Sequence, residues 1–183
     1  MLFSPAQSCA TVSRMDGCEL LVIGGRSGVG KSTAAFALHA LLRADDISHA
    51  VIEGDALDLA WPTPWEHRLS MRNLAAVWAN YRDLGYRRLV YTNTVAVLEA
   101  DELAAAMGSS PHVTSVLLTS SDAVADARLA LRESGSELAA HRLRSAAAAA
   151  RLEADAPAGT HRIGTDGRSP DEVARAIRRA VGW

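Results

Sequence analysis

The segment Gly25-Arg26-Ser27-Gly28-Val29-Gly30-Lys31-Ser32 fits G-x-x-x-x-G-K-[ST] at every fixed position, a spacing suited to holding phosphate. Glycines let the backbone curl with its N–H groups turned inward, so that a phosphate meets amides rather than side chains. Lys31 then supplies positive charge for the β- and γ-phosphates of a nucleoside triphosphate, and the Ser32 hydroxyl a ligand for magnesium. The start of the following helix adds a field that favours the anion. Thr33 completes the set of loop residues expected at the nucleotide. Lys31 is the only lysine among 19 basic residues. A chain otherwise committed to arginine keeps its lysine where the motif requires one.

What the loop serves is read from the other reactive residues. A guanine-reading GTPase would carry Asn-Lys-x-Asp, which a chain without a second lysine cannot provide. A motor-type ATPase would end a neighbouring apolar strand in an acidic magnesium ligand, whereas Arg88-Leu89-Val90-Tyr91 runs into Thr92-Asn93-Thr94. Those side chains hydrogen-bond a substrate or water but offer no carboxylate. Carboxylates appear instead in Val51-Ile52-Glu53-Gly54-Asp55. Ligands of open parallel sheets sit at the carboxyl ends of strands, which places Asp55 near the phosphate loop; the alternative is a turn aspartate. Arg128 and Arg132 are four residues apart, so on a helix they share a face and can point at one anion. The alternative is a solvated face paired with Glu133 or Glu137. Trp61-Pro62-Thr63-Pro64-Trp65, with Arg68 and Arg72 behind it, makes a rigid aromatic loop, unless the tryptophans pack onto the body of the domain. The six histidines show no metal-ligand spacing, and Cys9 and Cys18 lack an activating context.

Positioning these groups takes a regular frame. Leu20-Leu21-Val22-Ile23 is a short apolar run ending at Gly24-Gly25, which suits a strand buried on both faces, and residues 32–43 have apolar positions at helical spacing. Strands are then expected over 50–53, 88–92, 113–119 and 162–165, and helices over 66–84, 99–107, 122–133 and 137–155. Ser169-Pro170-Asp171-Glu172 opens the last helix with a cap and a proline at its first turn. Met71, Leu74, Trp78 and Tyr81 repeat at three and four residues, the stripe of a helix facing a core. Alternating strands and helices imply a parallel sheet covered on both faces. Residues 1–17 have no clear period and are expected to form a loose, partly disordered leader.

Strand, glycine loop with Lys31-Ser32, helix, and a strand ending in Glu53-Gly54-Asp55 together resemble the small-molecule kinases of the P-loop class. Gluconate kinase and adenylylsulfate kinase are similar, with Asp-Gly-Asp where this chain has Glu-Gly-Asp. The resemblance implies an α/β, three-layer fold with a five-stranded parallel sheet over 18–183 and a helical lid over about 122–145. It puts Asp55, and with it Glu53, beside the acceptor hydroxyl and the magnesium shell. It also makes Arg128 and Arg132 lid arginines that close on ATP. The segment after the second strand cups the acceptor in such kinases, which assigns Trp61, Trp65, Arg68 and Arg72 to the acceptor pocket, with Asn93 at its floor and a guanidinium for an anionic group.

Composition bounds the remaining possibilities. With 183 residues, 49% hydrophobic and 22% charged, the chain can bury one sizeable core. A formal charge of −2 argues against a nucleic-acid or anionic-membrane partner. No apolar run reaches the roughly 18 residues of a membrane span, and the start lacks a secretion signal, so a soluble cytoplasmic protein is expected. The combined expectation is an ATP- and magnesium-dependent phosphotransferase acting on a hydroxyl of a metabolite, nucleoside-like compound or antibiotic. A nucleotide-binding regulatory switch and a nucleoside monophosphate kinase are the alternatives, and the oligomeric state is open.

Overall fold

The computed structural model describes residues 17–108, 110–131 and 134–183. The leader expected over 1–17 lies outside the described residues except for Gly17, as do Cys9, Arg132 and Glu133. Strand β1 (Glu19–Gly24) leads through the glycine loop to helix α1 (Lys31–Ala44). There follow β2 (Ala50–Glu53), α2 (Leu69–Asp83), β3 (Arg88–Thr92), α3 (Ala100–Met107) and β4 (His112–Thr119). The chain ends with α4 (Asp122–Ala130), α5 (Gly135–Asp155), β5 (His161–Gly164) and α6 (Pro170–Val181). The five strands are all parallel, in the order β2-β3-β1-β4-β5.

Both faces of this sheet are apolar because successive strand residues point to opposite sides. Leu20 and Val22 of β1, with Leu89 and Tyr91 of β3, pack against Leu74 and Trp78 of α2 and Leu103 and Met107 of α3. Leu21, Ile23 and Val90 face the other way, onto Ala35, Leu38 and Leu42 of α1 and Val173 and Ile177 of α6. The chain runs from β1 to β2 in one direction across the sheet and then turns back. Right-handed crossovers therefore lay α1 on one face and α2 and α3 on the other. Register brings Ile23 opposite Thr92, and Glu53 opposite the same Thr92, so the phosphate loop, Asp55 and Asn93 all emerge at one edge.

Two helices depart from their expected bounds by three residues at one end. Helix α2 begins at Leu69 because Trp65–His67 forms a separate 3-10 turn and Arg68 adopts a left-handed conformation with φ of 47°. Helix α4 stops at Ala130, short of the expected 133, and Gly135 enters α5 at a φ of 69°. Arg128 lies on α4, while its expected companion Arg132 is outside the described residues. Helix α5 runs unbroken to Asp155, beyond the expected lid limit, and its Leu152 is buried in the body. Ser169 and Glu172 form the expected capping box at α6.

A histidine pair ties α1 to the start of β2. His49 Nδ1 lies 2.7 Å from the Ile47 carbonyl, which can only accept, so this nitrogen carries the proton. His49 Nε2 must then accept from His39 Nδ1, 2.9 Å away. Burial is the main cause that lowers the His49 pKa below its ordinary 6.5, with His39 and Arg88 adding to it against the Ile47 bond. The unfolded chain thus binds more protons, so this stabilisation is complete above 6.5 and lost as pH falls through the window beneath it. Urea midpoints taken from roughly pH 7.5 down to roughly pH 5.5 should fall faster for the parent than for His49→Gln; parallel curves would contradict this.

Candidate active site

The phosphate loop is held open by close packing. Gly28 has a φ of 81°, and a Cβ there would come within 2.6 Å of the Ala125 carbonyl of α4, so only glycine fits. Gly25 N–H donates to Thr94 O at 3.0 Å, and Asn93 N–H to Ile23 O at 3.3 Å, which fastens the segment after β3 to the loop. Lys31 at the head of α1 places Nζ 2.8 Å from Gly25 O, 3.3 Å from Arg26 O and 3.4 Å from Thr94 Oγ1. Its ammonium is thus curled over the loop that it serves. Arg26 lies in the loop only by its backbone. Its side chain is 3% exposed, donates from Nε to Ser145 Oγ of α5 at 2.9 Å, and pairs with Asp122 of α4. Ser145 in turn donates to Ser27 O at 3.0 Å. The guanidinium brackets the loop to α4 and α5 and is not a phosphate ligand in this arrangement.

Lys31, Ser32, Thr33, Ser27, Thr94 and Asp55 line one cleft of about 200 Å³, with His141 of α5 in its wall. Asp55 Oδ1 accepts from Asn93 Nδ2 at 2.9 Å, and Asn93 Oδ1 accepts from the Val95 amide at 3.2 Å. The amide orientation is set by the second bond, and the amide fixes the carboxylate. On the other side of the loop, a cleft of about 260 Å³ is walled by Val29, Ala34, Leu131, Pro170 and Val173, with Arg128, Thr165 and Arg168. Arg128 spans this cleft: its Nη1 lies 3.0 Å from Val29 O and 3.1 Å from Thr165 Oγ1. The two clefts share Gly28, Gly30 and Thr33.

The loop expected to cup an acceptor is exposed. Trp61 is 92% and Leu59 86% accessible, so Trp61 does not pack on the body, whereas Trp78 of the α2 stripe is fully buried. The Trp65 side chain lies outside the described residues. Arg68, one of the two arginines expected for an anionic group, is ion-paired with Glu102 of α3; the other, Arg72, is exposed on α2, and Glu53 is half-buried at the end of β2. Asn73 Nδ2 donates to Leu57 O at 2.6 Å, anchoring the segment after β2 to α2. Burial raises the Glu99 pKa first, then Glu102, against Arg151 and Arg68, with Asp58 adding a smaller rise. Burial likewise pushes up the Tyr91 hydroxyl, reinforced by Glu99, Asp55 and Asp58.

Several residues here were not selected from the sequence. Thr165 follows β5, and the strand-end rule that selected Asp55 applies to it equally. His141 carries no such signal, because only the packing of α5 brings it to the cleft.

No family model and no curated protein matches the chain. Solved structures do. The tunicamycin resistance protein of Deinococcus radiodurans is 22% identical with a TM-score of 0.59, over 90% of this chain and 96% of that one. A gluconokinase from Sinorhizobium meliloti 1021 is 19% identical with a TM-score of 0.56, over 93% and 94%. The APS kinase of Mycobacterium tuberculosis, solved with AMPPNP and APS, is 18% identical with a TM-score of 0.50, over 91% and 99%. At these identities the likeness is one of fold, that of the three-layer P-loop NTPases.

Proposed function

We propose that the protein is an ATP- and magnesium-dependent phosphotransferase that moves the γ-phosphoryl group of ATP to a hydroxyl of a small molecule. The observation that carries this reading is the cleft in which Lys31 and Ser32 of the phosphate loop face Asp55 at the end of β2. The loop amides and Lys31 hold the β- and γ-phosphates, and the apolar cleft under Arg128 and Arg168 suits a planar base, since guanidinium groups stack on aromatic faces. The Ser32 hydroxyl and the Asp55 carboxylate are hard oxygen donors in one cleft, the kind that holds magnesium directly or through water. Magnesium, when bound, supplies positive charge to the phosphate oxygens.

Asp55 has one oxygen held by Asn93, which leaves Oδ2 to take the acceptor's proton. The acceptor oxygen then bonds to the γ-phosphorus as the bond to the bridging oxygen breaks and ADP leaves. Kinase chemistry is supported by the gluconokinase and the APS kinase among the folds it resembles, and the tunicamycin resistance protein keeps an antibiotic among the acceptors. A nucleoside monophosphate kinase would need several uncommitted arginines at the acceptor, which the Arg68–Glu102 pair argues against. ATP consumption measured against sugars, cyclitols, nucleosides, nucleotides and hydroxylated antibiotics tests the reading. At least one acceptor should stimulate ADP release and become a phosphate monoester. If none does, the regulatory switch, in which ATP binding reshapes α4 and α5 for a partner, replaces the enzyme.

Arg128 has a role that differs from a charge-stabilising lid residue. Bonded to Val29 O and Thr165, it faces the base side of the loop, so Arg128→Ala should weaken ATP binding about tenfold, roughly 1.4 kcal/mol. The kcat should change less. Titration of ATP alongside single-turnover rates separates the two, and a loss confined to kcat would return Arg128 to the transferring phosphate.

A further inference from the structure

Besides Lys31 and Asp55, the cleft at the phosphate loop contains a third ionisable side chain. His141 of α5 is half-buried and lines this cleft with Lys31, Ser32, Thr94 and Asp55. Its place follows from the helix that carries it. Ser145 lies four residues further along α5, so the two side chains share a face. Ser145 is 1% exposed, donates to Ser27 O at 3.0 Å and accepts from Arg26 Nε at 2.9 Å. Those bonds fix α5 against the phosphate loop, and about one helical turn earlier the same face presents His141 at the cleft. The arginines around it serve elsewhere. Arg142 lies 3.8 Å from Asp126 of α4, Arg144 is exposed, and Arg128 lines the other cleft.

We propose that His141 binds the γ-phosphoryl group of the nucleotide, its imidazole N–H donating to a phosphate oxygen. Among the described residues lining the cleft, Lys31 is the one permanent cation, and His141 is the other residue whose side chain offers an N–H. The base belongs to the other cleft, across the shared Gly28, Gly30 and Thr33, which leaves the end of the triphosphate in the cleft of His141. A γ-phosphoryl group presents three oxygens, over which charge is spread during transfer. Lys31 meets them from the start of α1, and His141 from α5, a separate element. A neutral imidazole carries a hydrogen on one ring nitrogen and the cation on both, so the donor is present in either protonation state. Hydrogen bonds to an ionised phosphate belong to the strong class. This inference rests on the phosphotransferase reading for the group that moves, but contact with a terminal phosphate is measurable by binding alone.

The test is calorimetric titration of the intact protein, in magnesium, with ADP and with the non-hydrolysable analogue AMPPNP, which differ by the terminal phosphate. His141→Ala should weaken AMPPNP binding at least about tenfold, the scale of a hydrogen bond to a charged group, and ADP binding less than about twofold. His141→Phe keeps a ring for packing and should show the same selective loss. His141→Gln keeps an N–H donor and should recover part of it. Thermal unfolding of each variant reports that it folds, and alanine favours the helix in any case. Equal losses for the two nucleotides, no loss for either, or parental AMPPNP binding in His141→Phe would overturn the proposal. Failure of the parent to bind both nucleotides would remove the nucleotide site and the proposal with it. ATP turnover keeps the two readings apart. Transfer to an acceptor by the parent, with AMPPNP binding untouched in His141→Ala, leaves the kinase and removes the His141 contact. A selective loss of AMPPNP binding without transfer to any acceptor removes the kinase and keeps that contact.

Discussion

Asp55→Asn is expected to bind ATP as the parent does and to transfer its phosphoryl group at least ~100-fold more slowly, the usual scale for loss of general-base assistance. The substitution keeps size and hydrogen-bonding capacity and removes charge and basicity. Asn93 Nδ2, 2.9 Å from Asp55 Oδ1, can still bond the new amide oxygen, so the loop after β2 should keep its place. The remaining amide nitrogen would then face the acceptor as a donor and could not take its proton. Because Asp55 also lines the cleft with Ser32, part of the loss could arise from weaker magnesium binding. Raising magnesium separates the contributions: a base defect is insensitive to the metal, and a ligand defect is rescued by it. Parental transfer rates in Asp55→Asn would remove the carboxylate from the chemistry altogether.

The meeting of the glycine loop and Asp55 in one cleft was legible in the sequence because local rules place both. A glycine-rich segment between an apolar run and a helical pattern has few other uses, and the strand-end rule carried Asp55 to the same edge. The order of strands and helices was legible for the same reason, since each element carries its own period. What local rules missed came from distance along the chain. Arg26 meets Ser145 across a separation of 119 residues, and no pattern near either residue announces that bond. The α2 start was misplaced because a 3-10 turn and a left-handed Arg68 interrupt a run that composition alone continues. Arg68 illustrates the limit for function. As a residue type it suits an anion, and only the approach of α3, bringing Glu102, changes what it can bind.

Lys31→Ala should abolish productive ATP handling and leave the fold intact. The residue opens α1 without entering the apolar core, which on that helix is made by Ala34, Ala35, Leu38 and Leu42. Alanine is also a better helix former, so thermal unfolding should move little. At the site the effect is large. The ammonium lies 2.8 Å from Gly25 O, within a side-chain swing of any phosphate that the loop amides cradle. Without it, the β- and γ-phosphates lose a charge-assisted partner. That partner also compensates charge shifted toward the leaving β-phosphate during transfer, so kcat should fall further than affinity, by about 100-fold or more. Labelled ATP titrated into both proteins, with phosphoryl transfer followed in the same samples, measures the two losses. Lys31→Arg is the informative companion: it restores charge but not the compact shape that fits between Gly25 O and Thr94, so rescue should be incomplete. If Lys31→Ala unfolded at the parental temperature and retained parental affinity and turnover, the loop between β1 and α1 would not be the nucleotide site.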